Sequence, residues 1–295
     1  MRTIVKILIA TVLSTAAPAA ASTGAAWLGY SSSGANLAEA GGLGVMADGA
    51  DSMGLNPAGL ASLAGDGAVQ AGYAQWPGQI NVQTGQAALR TGVGVLGASV
   101  SWVDFGNINA YTVDPVNGVQ QTGSMHPNAS DVGLDLGSQV GRLALGLGAH
   151  LVTEDLVGQG SNSAPAVDAG ARMDVIPSMT AAVSLINAGG SLDGSALPTA
   201  LRTGLALRSP RGDSWEIGVE ASTPLSGGQA DLLGAFRYHV AAPLTLRAGW
   251  IQGQGISGDW SMGASFQMEM IGLDYGFRQI QGFDPINQVT VRVVW

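Results

Sequence analysis

From residue 214 onward the side chains alternate between apolar and polar with a period of two. Trp215, Ile217, Val219 and Ala221 alternate with Ser214, Glu216, Gly218, Glu220 and Ser222, which puts both carboxylates on one face. The next run sets Ala230, Leu232, Gly234, Phe236 and Tyr238 against Gln229, Asp231, Arg237 and His239. Leu244, Leu246, Ala248 and Trp250 then face away from Thr245, Arg247 and Gly249. Trp260, Met262, Ala264, Phe266 and Met268 oppose Ser261, Gly263, Ser265, Gln267 and Glu269, and Ile271, Leu273, Tyr275 and Phe277 oppose Gly272, Asp274, Gly276 and Arg278. Smaller residues carry the pattern upstream, in 142–150 and 167–173, and it is weakest between Val69 and Trp102, where bulges or two apolar faces are expected. Period two is the signature of strands with unlike faces. Between Val69 and Trp295 it predicts about fourteen strands of the length a tilted membrane strand needs.

The connections sharpen this into a topology. Tight turns near Arg90-Thr91, Val140-Gly141, Ile176-Pro177 and Ala242-Pro243 alternate with longer Gly-, Asn- and Ser-rich stretches at 104–128, 154–163, 188–198 and 252–258. The hairpin at Trp76-Pro77-Gly78 is the exception. Outer-membrane barrels alternate short inner turns with longer outer loops in this way. The expected fold is therefore an all-β, transmembrane, antiparallel up-and-down barrel. In the last strand Val289, Val291, Val293 and Trp295 face one way and Gln288, Thr290 and Arg292 the other. Ending on an aromatic residue, it looks like the terminal strand that such barrels present to the barrel-assembly machinery, with Trp295 as the signal.

Composition supports a wall facing hydrocarbon. The 295 residues include 45 Gly and are 46% hydrophobic but only 11% charged, against roughly 25% charged and 7% Gly in an ordinary soluble domain. No segment supplies the roughly 18 consecutive apolar residues of a transmembrane helix, so a membrane role falls to strands. At the start, Arg2 and Lys6 precede an apolar stretch from Ile7 to Leu13 and the small residues Ala16 to Ala21. This reads as a secretory signal peptide over 1–21. Its removal takes the net charge from -9 to -11, ten basic residues against 21 acidic, which disfavours nucleic acid as a partner. With no cysteine there is no disulfide or thiolate metal site. A secreted soluble β-protein is the rival class, disfavoured by the repeated apolar stripes.

Between the signal and the first strand, residues 22–66 have a different texture. Ala40-Gly41-Gly42-Leu43-Gly44-Val45-Met46-Ala47-Asp48-Gly49-Ala50-Asp51-Ser52 runs into Met53-Gly54-Leu55-Asn56-Pro57-Ala58-Gly59-Leu60-Ala61-Ser62-Leu63. Asn56 can cap a helix with Pro57 in its first turn. By local physics alone this is one short helix packed against a barrel end. Gly-Gly, then Ala-Asp-Gly-Ala-Asp-Ser, then Asn-Pro-Ala-Gly-Leu-Ala, followed only by strands to a terminal aromatic, resembles the FadL superfamily of outer-membrane transporters of long-chain fatty acids and other hydrophobic molecules. It looks closer still to the shorter PorV/PorQ (UPF0164-like) branch. The resemblance implies a fourteen-stranded barrel over 67–295 around an N-terminal hatch, with Asp48, Asp51, Asn56, Pro57 and Ala58 as hatch or gating residues. This chain is much shorter than a typical fatty-acid transporter, and its loops are too modest for a large outer capture groove. Some PorV-like proteins serve type IX secretion instead.

No enzyme chemistry emerges. Gly92-Val93-Gly94-Val95-Leu96-Gly97 and Gly253-Gln254-Gly255-Ile256-Ser257-Gly258 match the dinucleotide fingerprint, but neither opens a helix in a βαβ unit. There is no Gly-x-Ser-x-Gly and no His-Glu-x-x-His, and His126, His150 and His239 are scattered. No cofactor is expected. Charges fall on the inward positions: Asp131, Asp135, Arg142, Asp168, Arg172, Arg202, Arg208, Glu216, Glu220, Asp231, Arg237, Arg247, Glu269, Asp274, Arg278 and Arg292. They either pair across strands and with the hatch, because unpaired buried charge is costly, or line a polar path. Of these, Arg172, Arg202, Glu216, Glu220, Asp231, Arg237, Arg247, Asp274 and Arg278 are the candidates for the lumen. Two functions remain open: a passive route for hydrophobic small molecules such as fatty acids in the outer membrane of a Gram-negative-type bacterium, or a non-transporting barrel that docks secretion or envelope proteins. Outer-membrane lipids are partners in both.

Overall fold

The computed structural model describes residues 24–114, 118–156, 160–210, 214–253 and 256–295. The expected signal peptide over 1–21 lies outside the described residues. Strands begin at Gly67, and their alternation decides the architecture. The first half comprises β1 (Gly67–Trp76), β2 (Ile80–Thr91), β3 (Gly94–Asp104), β4 (Ile108–Asp114), β5 (Gly118–Met125), β6 (Asn128–Val140), β7 (Leu143–Asp155), β8 (Asn162–Ile176) and β9 (Met179–Gly189). The second comprises β10 (Ser191–Leu192), β11 (Ser195–Ala196), β12 (Ala200–Arg208), β13 (Trp215–Pro224), β14 (Asp231–Ala241), β15 (Leu244–Gly253), β16 (Ile256–Met268), β17 (Ile271–Gln279) and β18 (Ile286–Val294).

Fourteen of these strands close into one antiparallel barrel, and β4–β5 and β10–β11 are small separate hairpins set between consecutive wall strands. Closure is made by β1 and β18, with Ala68 opposite Val294 and Gln75 opposite Asn287. Every wall strand thus has two neighbours, and no edge is left with unpaired backbone groups that hydrocarbon could not solvate.

One face of each strand carries the large apolar side chains outward. Leu134, Leu147, Val219, Leu246, Met262 and Leu273 are exposed on that surface. Tyr73, Trp102, Trp250 and Trp260 stand toward the end with the longer loops, and Trp215, Tyr238 and Trp295 toward the end with the short turns, all exposed. An apolar belt flanked by two aromatic rings matches a bilayer core with its two interfaces.

The weak alternation between Val69 and Trp102 has a packing cause. β1, β2 and β3 pair without a register shift, so there is no bulge. Instead the inward positions Ala68, Val82, Ala88, Val95 and Val103 are themselves apolar and buried, because they pack against N-terminal residues such as Trp27, Met53 and Leu60. Both faces of these strands read as apolar.

Two expectations need correcting. The long connection at 252–258 is shorter, since β15 runs to Gly253 and β16 begins at Ile256, with Trp250 opposite Trp260 and Ile251 opposite Asp259. Strand pairing absorbs residues whose Gly and Ser content suggested a loop. Arg142 and Glu269 do not face the lumen: both sit in turns at strand ends and are exposed, and Glu269 adopts a left-handed φ of 47°. Extending the strand alternation one residue too far put them inside.

Candidate functional site

Residues 24–66 run through the interior of the barrel. Their regular structure is slight: 3-10 helices at Ala26–Gly29, Gly49–Ser52 and Pro57–Ser62, and one α-helical turn at Gly34–Ala38. A chain with so little helix leaves many backbone groups to be satisfied by the wall. The Gly34 amide donates to Thr290 Oγ1 (3.0 Å), the Ala40 amide to Ser261 Oγ (3.0 Å) and the Val45 amide to Glu220 Oε2 (3.1 Å). Ser184 Oγ donates to the Leu55 carbonyl (2.7 Å) and Thr84 Oγ1 to that of Ser32 (2.8 Å).

Glycines on the wall let this backbone come close. A Cβ on Gly146 would run into Pro57 and the Ala58 amide, and one on Gly276 into the Gly34 carbonyl. The inward faces of the strands are therefore small where the segment lies and charged where it offers a charge.

Three carboxylates of the segment meet wall arginines. Glu39, almost fully buried, accepts from Arg237 Nε (2.8 Å) and Nη2 (2.9 Å), a bidentate pair, and also pairs with Arg247. Burial alone would raise the Glu39 carboxyl, but the two guanidiniums outweigh it and hold the group at about 2. Asp51 accepts from Gln70 Nε2 (2.9 Å) and Arg292 Nη1 (3.2 Å). Burial opposes its ionisation, and Arg292 and Gln70 together still lower its pKa. Asp48, half exposed, bridges Arg172 at 2.7 Å, and Arg172 also donates to the Ala47 carbonyl. Arg202 pairs with Glu220 (2.6 Å) and donates to the Gly42 carbonyl (2.6 Å). Arg237 reaches Glu216 as well (3.2 Å), and Arg292 also pairs with Asp274.

Asn56 turns the chain into its last helix. Its Oδ1 accepts from the Ala58 amide (3.1 Å) and its Nδ2 donates to the carbonyls of Ala171 and Val183. Asn56, Pro57 and Ala58 are all buried. Leu63 and Gly65 are then held by Arg90, whose Nη2 donates to the Leu63 carbonyl (2.5 Å), and Asp66 and Gly67 donate to the Trp295 carbonyl.

Toward the loop end, Trp27 packs among Ala74, Val82, Val103, Ala129 and Val152, and its indole donates to Glu154 Oε1 (2.6 Å). Tyr30 stacks on Trp76 with ring centroids 3.9 Å apart. Between this upper layer and the stretches Ala40–Gly42 and Met53–Leu55 lies a cavity of about 580 Å³. Val82, Val103, Ile186 and Ile251 line it with Asp131, Asp135, His150, Asp168, Asp231 and Arg278. His150 Nδ1 bonds Asp131 (2.7 Å), its Nε2 lies 3.5 Å from Asp168, and Arg278 pairs with Asp259 (2.8 Å).

The candidate residues thus fall into two groups. Asp48, Asp51, Asn56, Arg172, Arg237, Arg247 and Asp274 belong to the contacts between segment and wall. Glu216 and Glu220 join them through Arg237 and Arg202. Asp231, Arg278 and Arg202 line the cavity, while Arg208 sits at the turn end, paired with Asp174. Glu39, Trp27, Asp259 and Gln70 also belong to these contacts, and local sequence patterning does not mark them. For Glu39 the signal was a lone acid in an Ala- and Gly-rich stretch with surplus arginines downstream.

No protein-family model matches the chain, and no curated protein sequence does. Among solved structures it is similar to the toluene transporter TodX of Pseudomonas putida, with TM-score 0.61 and 11% identity over 90% of this chain and 97% of that one. It is also similar to the deltaS2 mutant of the TodX monoaromatic hydrocarbon channel, with TM-score 0.57 and 11% identity over 90% and 97%. At such identities the likeness is one of fold.

Proposed function

We propose that this chain is a gated outer-membrane conduit for small hydrophobic or amphipathic molecules, with residues 22–66 as its hatch. The observation that carries the reading is a lumen filled by a segment tied to the wall by ion pairs and backbone hydrogen bonds as well as by apolar packing, beside a cavity of about 580 Å³. That volume is in the range of small-ligand pockets. A plug packed wholly through apolar contacts would behave as core, whereas ion pairs and backbone hydrogen bonds can be exchanged for water one at a time. The hydrocarbon named for the toluene transporter belongs to the passenger class proposed here, as do fatty acids, which the FadL resemblance implies. No catalytic role is assigned. The localisation is the outer membrane of a Gram-negative-type bacterium, with outer-membrane lipids around the apolar belt. Trp295 is read as the residue met by the barrel-assembly machinery.

The test is flux through proteoliposomes carrying the full chain or a deletion of Ala40 to Leu63. Swelling in toluene-saturated or small-solute medium should rise in the deletion. Permeability equal to that of the full chain would overturn gating.

A docking role of the PorV/PorQ kind is the second reading. It is favoured by the β4–β5 hairpin, whose Tyr111, Val113 and Val119 are exposed beyond the wall strands. Envelope or secretion proteins retained on the intact chain and lost when 108–125 is deleted would support it.

A further inference from the structure

The charges around the cavity do not balance. Arg202 is matched by Glu220, which lies against it at 2.6 Å, and Arg278 by Asp259 at 2.8 Å. Besides these pairs the cavity is lined by Asp231 on β14 and, on β6, β7 and β8, by His150 with Asp131, Asp135 and Asp168. Even a protonated His150 supplies only one positive charge against three carboxyl groups.

Register explains how the carboxylates come together. Asp135 on β6 and Asp168 on β8 are both in register with Gly148 on the strand between them. With no side chain at Gly148, a Cβ there would lie 3.3 Å from that of Asp168 and press on the Asp135 carboxylate. Asp168 has another duty, since its Oδ1 accepts from the Asn187 amide (2.7 Å), where β9 bulges with a left-handed φ of 55°. Asp131 is committed to His150 Nδ1. Asp135 is 7% exposed, opens onto the cavity, and accepts no hydrogen bond among the described residues. His150 Nε2 is likewise buried without a hydrogen bond. A buried carboxylate with no donor is costly unless something else supplies one.

We propose that this cavity is a binding site for a small organic cation, a molecule carrying a protonated amine on an apolar body. An ammonium offers a compact positive charge and several N–H donors to Asp135 and the neighbouring Asp168. Val82, Val103 and Ile186 line the same space for the apolar part, and so do the aromatic side chains of Trp27 and Tyr30. An anion would meet the surplus carboxylates. The inference rests on the conduit reading and specifies what the conduit selects.

The experiment compares benzylamine, toluene and phenylacetate, three probes of similar shape, as ligands of the full chain in detergent, by calorimetric or ligand-observed titration. Benzylamine should bind at least about ten times more tightly than toluene, and phenylacetate more weakly than either. Asp135→Asn should abolish the preference for benzylamine over toluene, and Asp135→Glu should keep it, which separates lost charge from lost fold. Equal binding of benzylamine and toluene, or a preference that survives Asp135→Asn, overturns the cation site. If toluene still binds and crosses proteoliposomes in that case, the conduit reading stands. If none of the three binds, both fall.

Discussion

Arg237 on β14 and Arg247 on β15 stand directly opposite one another in the strand register. Like charges at opposed positions repel, and here the Glu39 carboxylate, supplied by the N-terminal segment, bonds to both. The barrel wall is electrostatically incomplete without the segment. Glu39→Gln should therefore loosen the segment by about 3 kcal/mol, because it leaves the largely buried Arg247 without a carboxylate and Arg237 with Glu216 alone. Planar-bilayer recordings should show more frequent opening while the circular dichroism of the barrel is unchanged. Unaltered opening would mean that apolar packing alone seats the segment.

The same ion pairs make docking sensitive to acid. Glu39 is lowered from 4.5 to about 2 inside the barrel, and Asp51 is lowered in the same direction. A depressed carboxyl stabilises the docked form fully above its ordinary pKa, and that contribution is lost as pH falls toward the docked value. For Glu39 the loss amounts to on the order of 3 kcal/mol between pH 4.5 and about 2. Pepsin should begin to cut within 31–63 in that window, while the wall strands remain protected. Equal resistance at pH 4.5 and at about 2 would exclude these carboxylates as the hold.

Close approach at Gly146 gives a test that involves no charge. Its added Cβ would meet backbone atoms of Pro57 and Ala58 rather than a flexible side chain, so neither partner can swing aside. Gly146→Ala should cost about 1–3 kcal/mol as an overpacking change, read as faster hydrogen exchange in 56–63. Gly234→Ala, where nothing lies within reach of the new Cβ, is the control and should be near neutral.

The wall was legible in the sequence because a strand's two faces are reported directly by alternation. Trp260, Met262 and Phe266 on one side and Ser261, Gly263 and Ser265 on the other define a side without any tertiary information. Legibility failed where the interior is filled. Val82, Val103 and Leu233 face inward and are apolar, because they touch the segment, and no local pattern records that. It failed also for partners far apart in the chain: Glu39 meets Arg237 and Arg247 across about two hundred residues, and His150 meets Asp131 and Asp168 through strand register. Nor does a strand pattern show its own end: alternation places Arg142 and Glu269 inward, and both lie in turns.

Trp27 lines the cavity toward the loop end and is held there by two unlike contacts. Its ring packs in a cluster with Ala74, Val82 and Val152, and its indole N–H donates to Glu154 Oε1 at 2.6 Å. A hydrogen bond to a charged acceptor contributes about 1.5–3 kcal/mol, so Trp27→Phe, which keeps most of the ring and loses the N–H, should raise the population of the open form about tenfold or more. Trp27→Ala loses the packing as well and should open it further. Exchange rates of a bound probe such as toluene, measured from line shapes, should then rise in the order native, Phe, Ala. Glu154→Gln should fall near Trp27→Phe, because it weakens the same bond from the other side. If all four exchange alike, the probe leaves by another route and Trp27 is structural only.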